Sequence, residues 1–115
     1  MSPVPGHTVR DLVAWMFGRR RRYRVTGRSM LPTLCDGDYV LVVPRASAPG
    51  CPSPGDVVVA RHPHQSDLVV IKRVQRVDDR GVFLVGDSPE GTTDSRDYGP
   101  VSVGAVWGRV ACVLT

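Results

Sequence analysis

The stretch DLVVIKRVQRVDDRGVFLVGD, residues 67–87, holds two runs of β-branched and aromatic residues separated by a short polar segment. Runs of this composition, bounded by Asp and Gly, are typical of strands. The segment DDRG, residues 78–81, is typical of a tight turn. We therefore predict a β-hairpin whose strands lie within residues 67–77 and residues 81–87.

Four other runs have the same β-branched character. They are YRVTG (23–27), DYVLVVP (38–44), DVVVARH (56–62) and AVWGRVACVL (105–114). Each is bounded by Gly, Pro, Asp or Ser, the residues that end strands. Between the second and third runs, PRASAPGCPSPG (44–55) is rich in Pro, Gly and Ser and is predicted to be a loop.

One helix is predicted ahead of the strands. TVRDLVAWMF (8–17) repeats its apolar residues at the i, i+3, i+4 and i+7 spacing of a helix. Asp11 stands three positions after Thr8, a spacing typical of a capped helix start, and Gly18 follows as a stop signal. No helix signal follows, so we predict a small, mostly β domain with one short N-terminal helix.

Composition narrows the function classes. A chain of 115 residues with 42% hydrophobic and 23% charged residues is expected to form one globular domain. Its apolar runs are far shorter than the roughly 18 residues that a membrane span needs, and its three cysteines lack C-x-x-C spacing. We therefore expect no transmembrane segment, reduced thiols and a cytoplasmic location.

The formal net charge of +4 is concentrated in RRRRYR, residues 19–24. A basic block beside an amphipathic helix can contact an anionic membrane surface or nucleic acid. It can equally be a solvated connector. Aromatic residues are too few for base stacking, so we expect no nucleic-acid partner. Weak membrane-surface contact through residues 8–24 stays open beside the connector interpretation.

Lys72 is the only lysine among the 15 Lys plus Arg residues. Because side chains alternate along a strand, Lys72 shares a face with Leu68, Val70 and Val74, and Arg73 lies on the other face. Burial among apolar neighbours lowers the pKa of an ammonium, and a neutral amine can act as a general base. A strand lysine whose ammonium reaches water is the alternative.

A candidate nucleophile lies in VTGRSMLPTLCDGD, residues 25–38. Gly27 permits a tight bend before Ser29, and Pro32 restricts the chain after it. A serine held on such a turn can present its hydroxyl and its own N–H to one substrate carbonyl, which supplies a nucleophile and part of an oxyanion hole. An ordinary turn serine is the alternative reading of Ser29.

Four sequence blocks, in this order, resemble the signal peptidase I family of serine–lysine proteases. They are GRSMLPTLCDGDYVLV, PGDVVVARHP, VVIKRV and GDSPEGTTDSRDYGPV. The resemblance covers about residues 25–110. It implies a β-barrel-type domain like those of the signal peptidases and the LexA-like repressors over residues 23–115, preceded by a helix and basic segment over residues 1–22.

The resemblance also implies roles for single residues. Ser29 matches the family's nucleophile and Lys72 its general base. Thr92 takes the place of a hydroxyl that orients the lysine, and Asp94 and Arg96 match an ion pair that braces the site. This chemistry needs no metal or cofactor.

Three departures from the family pattern indicate which branch of the signal peptidase I family the chain resembles. The membrane spans of bacterial signal peptidases are not expected here, Gly27 replaces a serine that adds to the oxyanion hole, and the region after VVIKRV is a simple hairpin. The segment GDVVVARHPHQSDLVVIKRV (55–74) resembles the nickel-type superoxide dismutase maturation proteases. That branch implies removal of an N-terminal extension from the dismutase precursor, which would be the partner protein.

Other functions are weighed against this one. General signal-peptide removal and LexA-like self-cleavage use the same dyad. A nucleic-acid-binding β module would leave the SMLPT and DSR blocks unexplained. His62 and His64 could suggest a metal or a Ser–His pair, but no further ligands or orienting acid accompany them.

Overall fold

The computed structural model describes residues 3–6, 8–16, 18, 20–47, 50–65, 67–90 and 93–114, without the side chains of residues 14–16. Two helices, six strands and a 3-10 turn follow one another in these ranges. In chain order they are α1 (Val9–Met16), β1 (Arg21–Arg24), β2 (Tyr39–Pro44), β3 (Val57–Arg61), β4 (Val69–Asp78), β5 (Gly81–Val85), α2 (Ser95–Tyr98), the 3-10 turn (Val103–Ala105) and β6 (Val106–Leu114).

The strands form one sheet in the order β1-β2-β6-β3-β4-β5, and every neighbouring pair is antiparallel. The mostly β prediction is confirmed. The predicted hairpin is β4 and β5, closed by the pairing of Asp78 with Gly81. β1 differs from the predicted run 23–27: it begins at Arg21 and ends at Arg24, because the backbone of the basic block pairs with β2 from Arg21 opposite Val42 to Arg24 opposite Tyr39.

Two hydrophobic cores lie on the two faces of the sheet. The first core contains Val25, Met30, Leu34, Val40, Val42, Val57, Val59, Val110 and Val113. The second core contains Val58, Ala60, Val74, Val82, Leu84, Val101, Ala105 and Val106. Tyr23 of β1 and Ile71 of β4 both pack against the first core, although three strands separate β1 from β4 in the sheet order. The sheet is therefore strongly curled, and β1 comes opposite β4.

α1 has the capped start that the sequence predicted. The Asp11 N–H donates to Thr8 Oγ1 at 3.2 Å, and the Thr8 hydroxyl donates to the Asp11 carboxylate at 3.0 Å. Val9 and Val13 are 78% and 45% exposed, so part of the apolar face of α1 points to solvent. Within the part of the chain that the structure describes, no helix has the length and apolar character to cross a membrane.

The residues before α1 are joined to the sheet. The Val113 N–H donates to the Pro5 carbonyl at 2.8 Å, Gly6 forms a bridge with Val113, and Val4 packs against the first core. The predicted boundary between residues 1–22 and 23–115 falls inside β1. The N-terminal segment thus shares backbone pairing with the domain it precedes, and the division stays a prediction.

α2 was not expected from the sequence, which predicted a single helix. Its N-cap is Asp94, whose side chain accepts a hydrogen bond from Arg96 N, while the Asp97 side chain accepts one from Asp94 N. This capping box stabilises a helix of only four residues, too short to show a 3.6-residue repeat. The prediction of one helix is therefore incomplete, and α2 lies directly beside the candidate site.

Candidate active site

Lys72 lies in the middle of β4 on the face of the second core. Val58 of β3 is directly opposite Lys72, and Ala60 is opposite Val70. Cross-strand partners share a face, and Val58, Ala60 and Val74 all belong to the second core. Lys72 is 5% exposed, so the predicted apolar environment of this lysine is confirmed.

The surroundings of Lys72 lower the pKa of its ammonium group. Burial lowers the pKa of Lys72 below its ordinary value, the negative charge of Asp94 opposes this change, and the positive charge of Arg96 adds to it. Asp94 and Arg96 form an ion pair with a 2.6 Å contact. Because their charges are opposite, their effects on the pKa of Lys72 have opposite signs. The direction of the net change is the one that a general base requires.

Ser29 lies on the loop between β1 and β2. Asp36 and Asp38 hold this loop, because Gly27 N donates to Asp36 Oδ1 at 2.8 Å and Val25 N donates to the Asp38 carbonyl at 2.7 Å. Gly27 has a φ of +84°, a conformation that glycine adopts without steric cost. The next residue after Ser29, Met30, is 1% exposed and anchors the loop in the first core.

Two cavities meet at Ser29 and Lys72. The apolar groove, about 290 Å³, is lined by Tyr23, Arg24, Val25, Thr26, Ser29, Met30, Leu68, Val69, Val70, Ile71 and Lys72. The charged cavity, about 860 Å³, is lined by Arg28, Ser29, Leu31, Pro32, Lys72, Ser88, Pro89, Glu90 and Thr93. Ser29 and Lys72 are the two residues that line both. No hydrogen bond joins their side chains in the described residues, so the dyad stays a prediction.

The apolar groove runs along a free strand edge. β5 pairs with β4 only from Arg73 to Asp78, and β3 pairs with the opposite side of β4. Residues 69–72 therefore have no strand partner toward β5 within the described ranges. Their unpaired backbone groups can bind another extended segment.

An ion pair that was not predicted from the sequence connects the loop of Ser29 to β4, the strand of Lys72. Arg73 Nε and Nη2 donate to the two Asp87 carboxylate oxygens, both at 2.8 Å, and Thr33 Oγ1 donates to Asp87 Oδ2 at 2.6 Å. Ser88 N also donates to the Ser29 carbonyl at 3.0 Å. Both halves of the candidate site are thus held to the segment after β5.

Sequence reasoning assigned no role to Arg73, Asp87 or Thr33, although all three stand inside the four blocks. Because side chains alternate along β4, Arg73 was expected on the face opposite Lys72 and was given no role in the site. The pairing of Arg73 with Asp87 depends on how β5 ends, which no local pattern specifies. The only indication in the sequence was the presence of Arg73, Asp87 and Thr33 within the motifs KRV, GDS and PT. A charged residue that becomes buried needs a partner of opposite sign, so Arg73 and Asp87 could have been considered as a pair.

Asp94 and Arg96 form the ion pair that the resemblance implied. Asp94 is 0% exposed, accepts a hydrogen bond from Gly86 N at 2.9 Å and caps α2, while the Arg96 side chain is 57% exposed. Thr92, the predicted orienting hydroxyl, lies outside the described residues. Its neighbour Thr93 lines the charged cavity.

His62 and His64 do not line either cavity. The His62 ring packs against Tyr98 with a centroid distance of 4.4 Å, and His64 Nε2 lies 3.1 Å from the Tyr98 carbonyl. Both histidines thus join the loop after β3 to the end of α2. Across the described residues, no group of three or more His, Cys, Asp and Glu side chains is arranged to hold a metal ion.

Comparison with known proteins agrees with a peptidase. A plant relative, the mitochondrial ATP-independent inner membrane protease subunit 1b of Arabidopsis thaliana, is 35% identical over the aligned region. The alignment covers 73% of this chain and 63% of the relative, so the chain spans less than two thirds of that protein. The model of the family described as Peptidase S24-like matches residues 20–110. This match includes the loop of Ser29 and the strand of Lys72, and the chain belongs to the Peptidase S24-like family.

Proposed function

We propose that this protein is a serine endopeptidase in which Ser29 is the nucleophile and Lys72 the general base. The observation that carries the proposal is the position of these two residues, which both line the apolar groove and the charged cavity. A peptide that crosses from one cavity to the other passes both side chains. Membership in a peptidase family supports the same reaction class.

The proposed reaction proceeds through an acyl-enzyme. Neutral Lys72 Nζ accepts the proton of Ser29 Oγ while Oγ attacks the scissile carbonyl carbon, and the Ser29 N–H donates to the oxyanion. Breaking of the C–N bond releases the amine, which takes its proton from the lysine ammonium. Lys72 then accepts a proton from water, and the resulting attack hydrolyses the ester.

Two features of Ser29 and Lys72 support these roles. Ser29 N donates no hydrogen bond to any described residue, so the N–H is available to an oxyanion. Lys72 forms no side-chain hydrogen bond within the described ranges, and burial lowers the pKa of Lys72. This direction favours the neutral amine that the proposed general base needs.

The apolar groove fits an extended peptide. The free edge of β4 at residues 69–72 can pair with a substrate backbone, while alternate side chains enter the groove toward Val25 and Met30. Such binding needs an unfolded segment, because a folded domain presents few free strands. We therefore propose cleavage of a single bond in the unfolded N-terminal extension of a precursor protein.

The proposed precursor is that of a nickel-type superoxide dismutase, cut so that a histidine becomes the first residue. Its basis is the resemblance of residues 55–74 to the maturation proteases of that enzyme. A second candidate is general removal of signal peptides, which the resemblance of the four blocks to signal peptidase I supports. Self-cleavage, as in LexA-like regulators, is a third.

Co-expression followed by intact mass measurement separates these functions. The dismutase precursor is expressed with the wild-type protein and, as the matched control, with Ser29→Ala. We expect loss of the precursor's N-terminal extension with the wild type alone. An intact dismutase precursor together with cleavage of an exported preprotein would move the function to signal-peptide removal, and a shortened mass of this chain alone would indicate self-cleavage.

A further inference from the structure

The charged cavity gives the site a second binding surface beyond the apolar groove. The two cavities share Ser29 and Lys72 and differ in every other lining residue. A peptide whose scissile carbonyl lies at Ser29 continues in both directions. When one side occupies the apolar groove, the segment beyond the scissile bond is directed to the charged cavity. At about 860 Å³, this cavity is in the size range of ligand sites.

Two opposite charges line the charged cavity. Arg28 and Glu90 are both exposed, and within the described residues neither side chain forms an ion pair. They also form none with each other. Complementary charges on a bound peptide can therefore pair with each side chain without first breaking an ion pair within the protein.

Both charges are held close to Ser29 by the backbone. Arg28 directly precedes Ser29 in the chain. Glu90 follows Ser88, whose N–H donates to the Ser29 carbonyl at 3.0 Å. Between Ser88 and Glu90 stands Pro89, which restricts the chain, and Glu90 N lies 3.3 Å from Ser88 Oγ. The position of the Glu90 backbone relative to the scissile bond is thus fixed by a short hydrogen-bonded connection.

We propose that the charged cavity binds the substrate segment beyond the scissile bond and selects its charged side chains, a basic one through Glu90 and an acidic one through Arg28. This inference rests on the proposed peptidase function and adds the chemistry of the substrate. Selection by charge acts through repulsion of the wrong sign as well as attraction of the right one. Charge reversal in the cavity should therefore reverse the preference.

A proteome-derived peptide library tests this selection. Wild type, Glu90→Lys and the control Asp79→Lys are each incubated with the library, and cleavage products are read by mass spectrometry. Asp79→Lys makes the same charge reversal on the β4–β5 turn and lines neither cavity. We expect Glu90→Lys to lower the ratio of basic to acidic residues near the cleaved bonds by about tenfold. The ratio for Asp79→Lys should equal that of wild type.

A rescue experiment makes the result specific. A peptide that the wild type cleaves and that carries Lys at the selected position should be cut poorly by Glu90→Lys, and changing that Lys to Glu should restore cleavage. Arg28→Glu should show the reciprocal behaviour with an acidic residue. Unchanged preferences in both variants, with normal cleavage by wild type, would overturn the inference alone. A library left intact by wild type would contradict the proposed function and the inference with it.

Discussion

Replacing Asp87 by asparagine removes a negative charge that pairs with the buried Arg73 guanidinium. Arg73 donates two 2.8 Å hydrogen bonds to the Asp87 carboxylate, and the two side chains are 9% and 2% exposed. Removing one partner of a buried ion pair costs about 3–5 kcal/mol. At roughly 4 °C per kcal/mol for a chain of this size, we expect Asp87→Asn to lower Tm by about 12–20 °C.

The matched control is Asp78→Asn on the β4–β5 turn. Asp78 pairs with Arg76 at 3.5 Å, but the side chains are 48% exposed for Arg76 and 40% for Asp78, and exposed pairs contribute about 0–1 kcal/mol. Urea unfolding followed by circular dichroism measures the free energy of unfolding of both variants. Equal losses in the two, or an Asp87→Asn loss below about 1 kcal/mol, would refute the argument from burial.

The Asp87 ion pair also gives stability a pH dependence of known sign. Burial raises the pKa of Asp87, but hydrogen bonds from Arg73 and Thr33 outweigh burial and hold that pKa below its ordinary value. A carboxylate with a depressed folded pKa stabilises the fold above its unfolded pKa of about 3.9, and this contribution is lost as pH falls through the folded pKa. As pH falls, the free energy of unfolding should decrease less in Asp87→Asn than in wild type. Urea unfolding at a series of decreasing pH values measures this difference.

Three further variants test the site and the N-terminal segment. Arg96→Gln removes a positive charge that lowers the pKa of Lys72, so the rise of kcat/KM with pH should move to higher pH. Thr92→Val should lower kcat by roughly ten- to a hundredfold if Thr92 orients the lysine. We also propose that the exposed side of α1 contacts anionic membranes, so Val9→Asp with Val13→Asp should reduce co-flotation with anionic liposomes.

Each of these tests has its own control. For Arg96→Gln, the exposed Arg61→Gln should leave the pH profile unchanged, and an Arg96 profile equal to wild type would exclude the electrostatic role. For Thr92, Thr92→Ser should retain activity, and full activity of Thr92→Val would remove the orienting role. For the liposomes, neutral vesicles are the control, and equal recovery of wild type and double variant would favour the connector interpretation.

Much of the sheet was predictable because its strands are local features. β-branched runs bounded by turn residues located β2 to β6, whereas the run 23–27 overlaps β1 only at Tyr23 and Arg24. Thr8 with Asp11 located the start of α1. The order β1-β2-β6-β3-β4-β5 was not predictable from these runs, because pairing between distant strands leaves no local pattern. α2 was missed since four residues are too few for a helical repeat.

The candidate site was predictable in part for the same reason. Strand alternation placed Lys72 on an apolar face, and that placement is confirmed by Val58 opposite it. The two cavities depend on the curl of the sheet, which brings β1 opposite β4, and the sequence contains no signal for the curl. The Arg73–Asp87 ion pair depends on tertiary contacts. Both residues stand in the sequence blocks, but their pairing could not be predicted from the sequence.

The most direct test of the central claim is the kcat/KM of Lys72→Arg on the library peptide that the wild type cleaves best. Arginine keeps the positive charge but cannot act as a neutral base near neutral pH, so we predict a decrease of about 10³-fold or more, close to that of Lys72→Ala. Circular dichroism of both variants verifies that they are folded. Activity of folded Lys72→Arg within about tenfold of wild type would contradict the assignment of Lys72 as the general base.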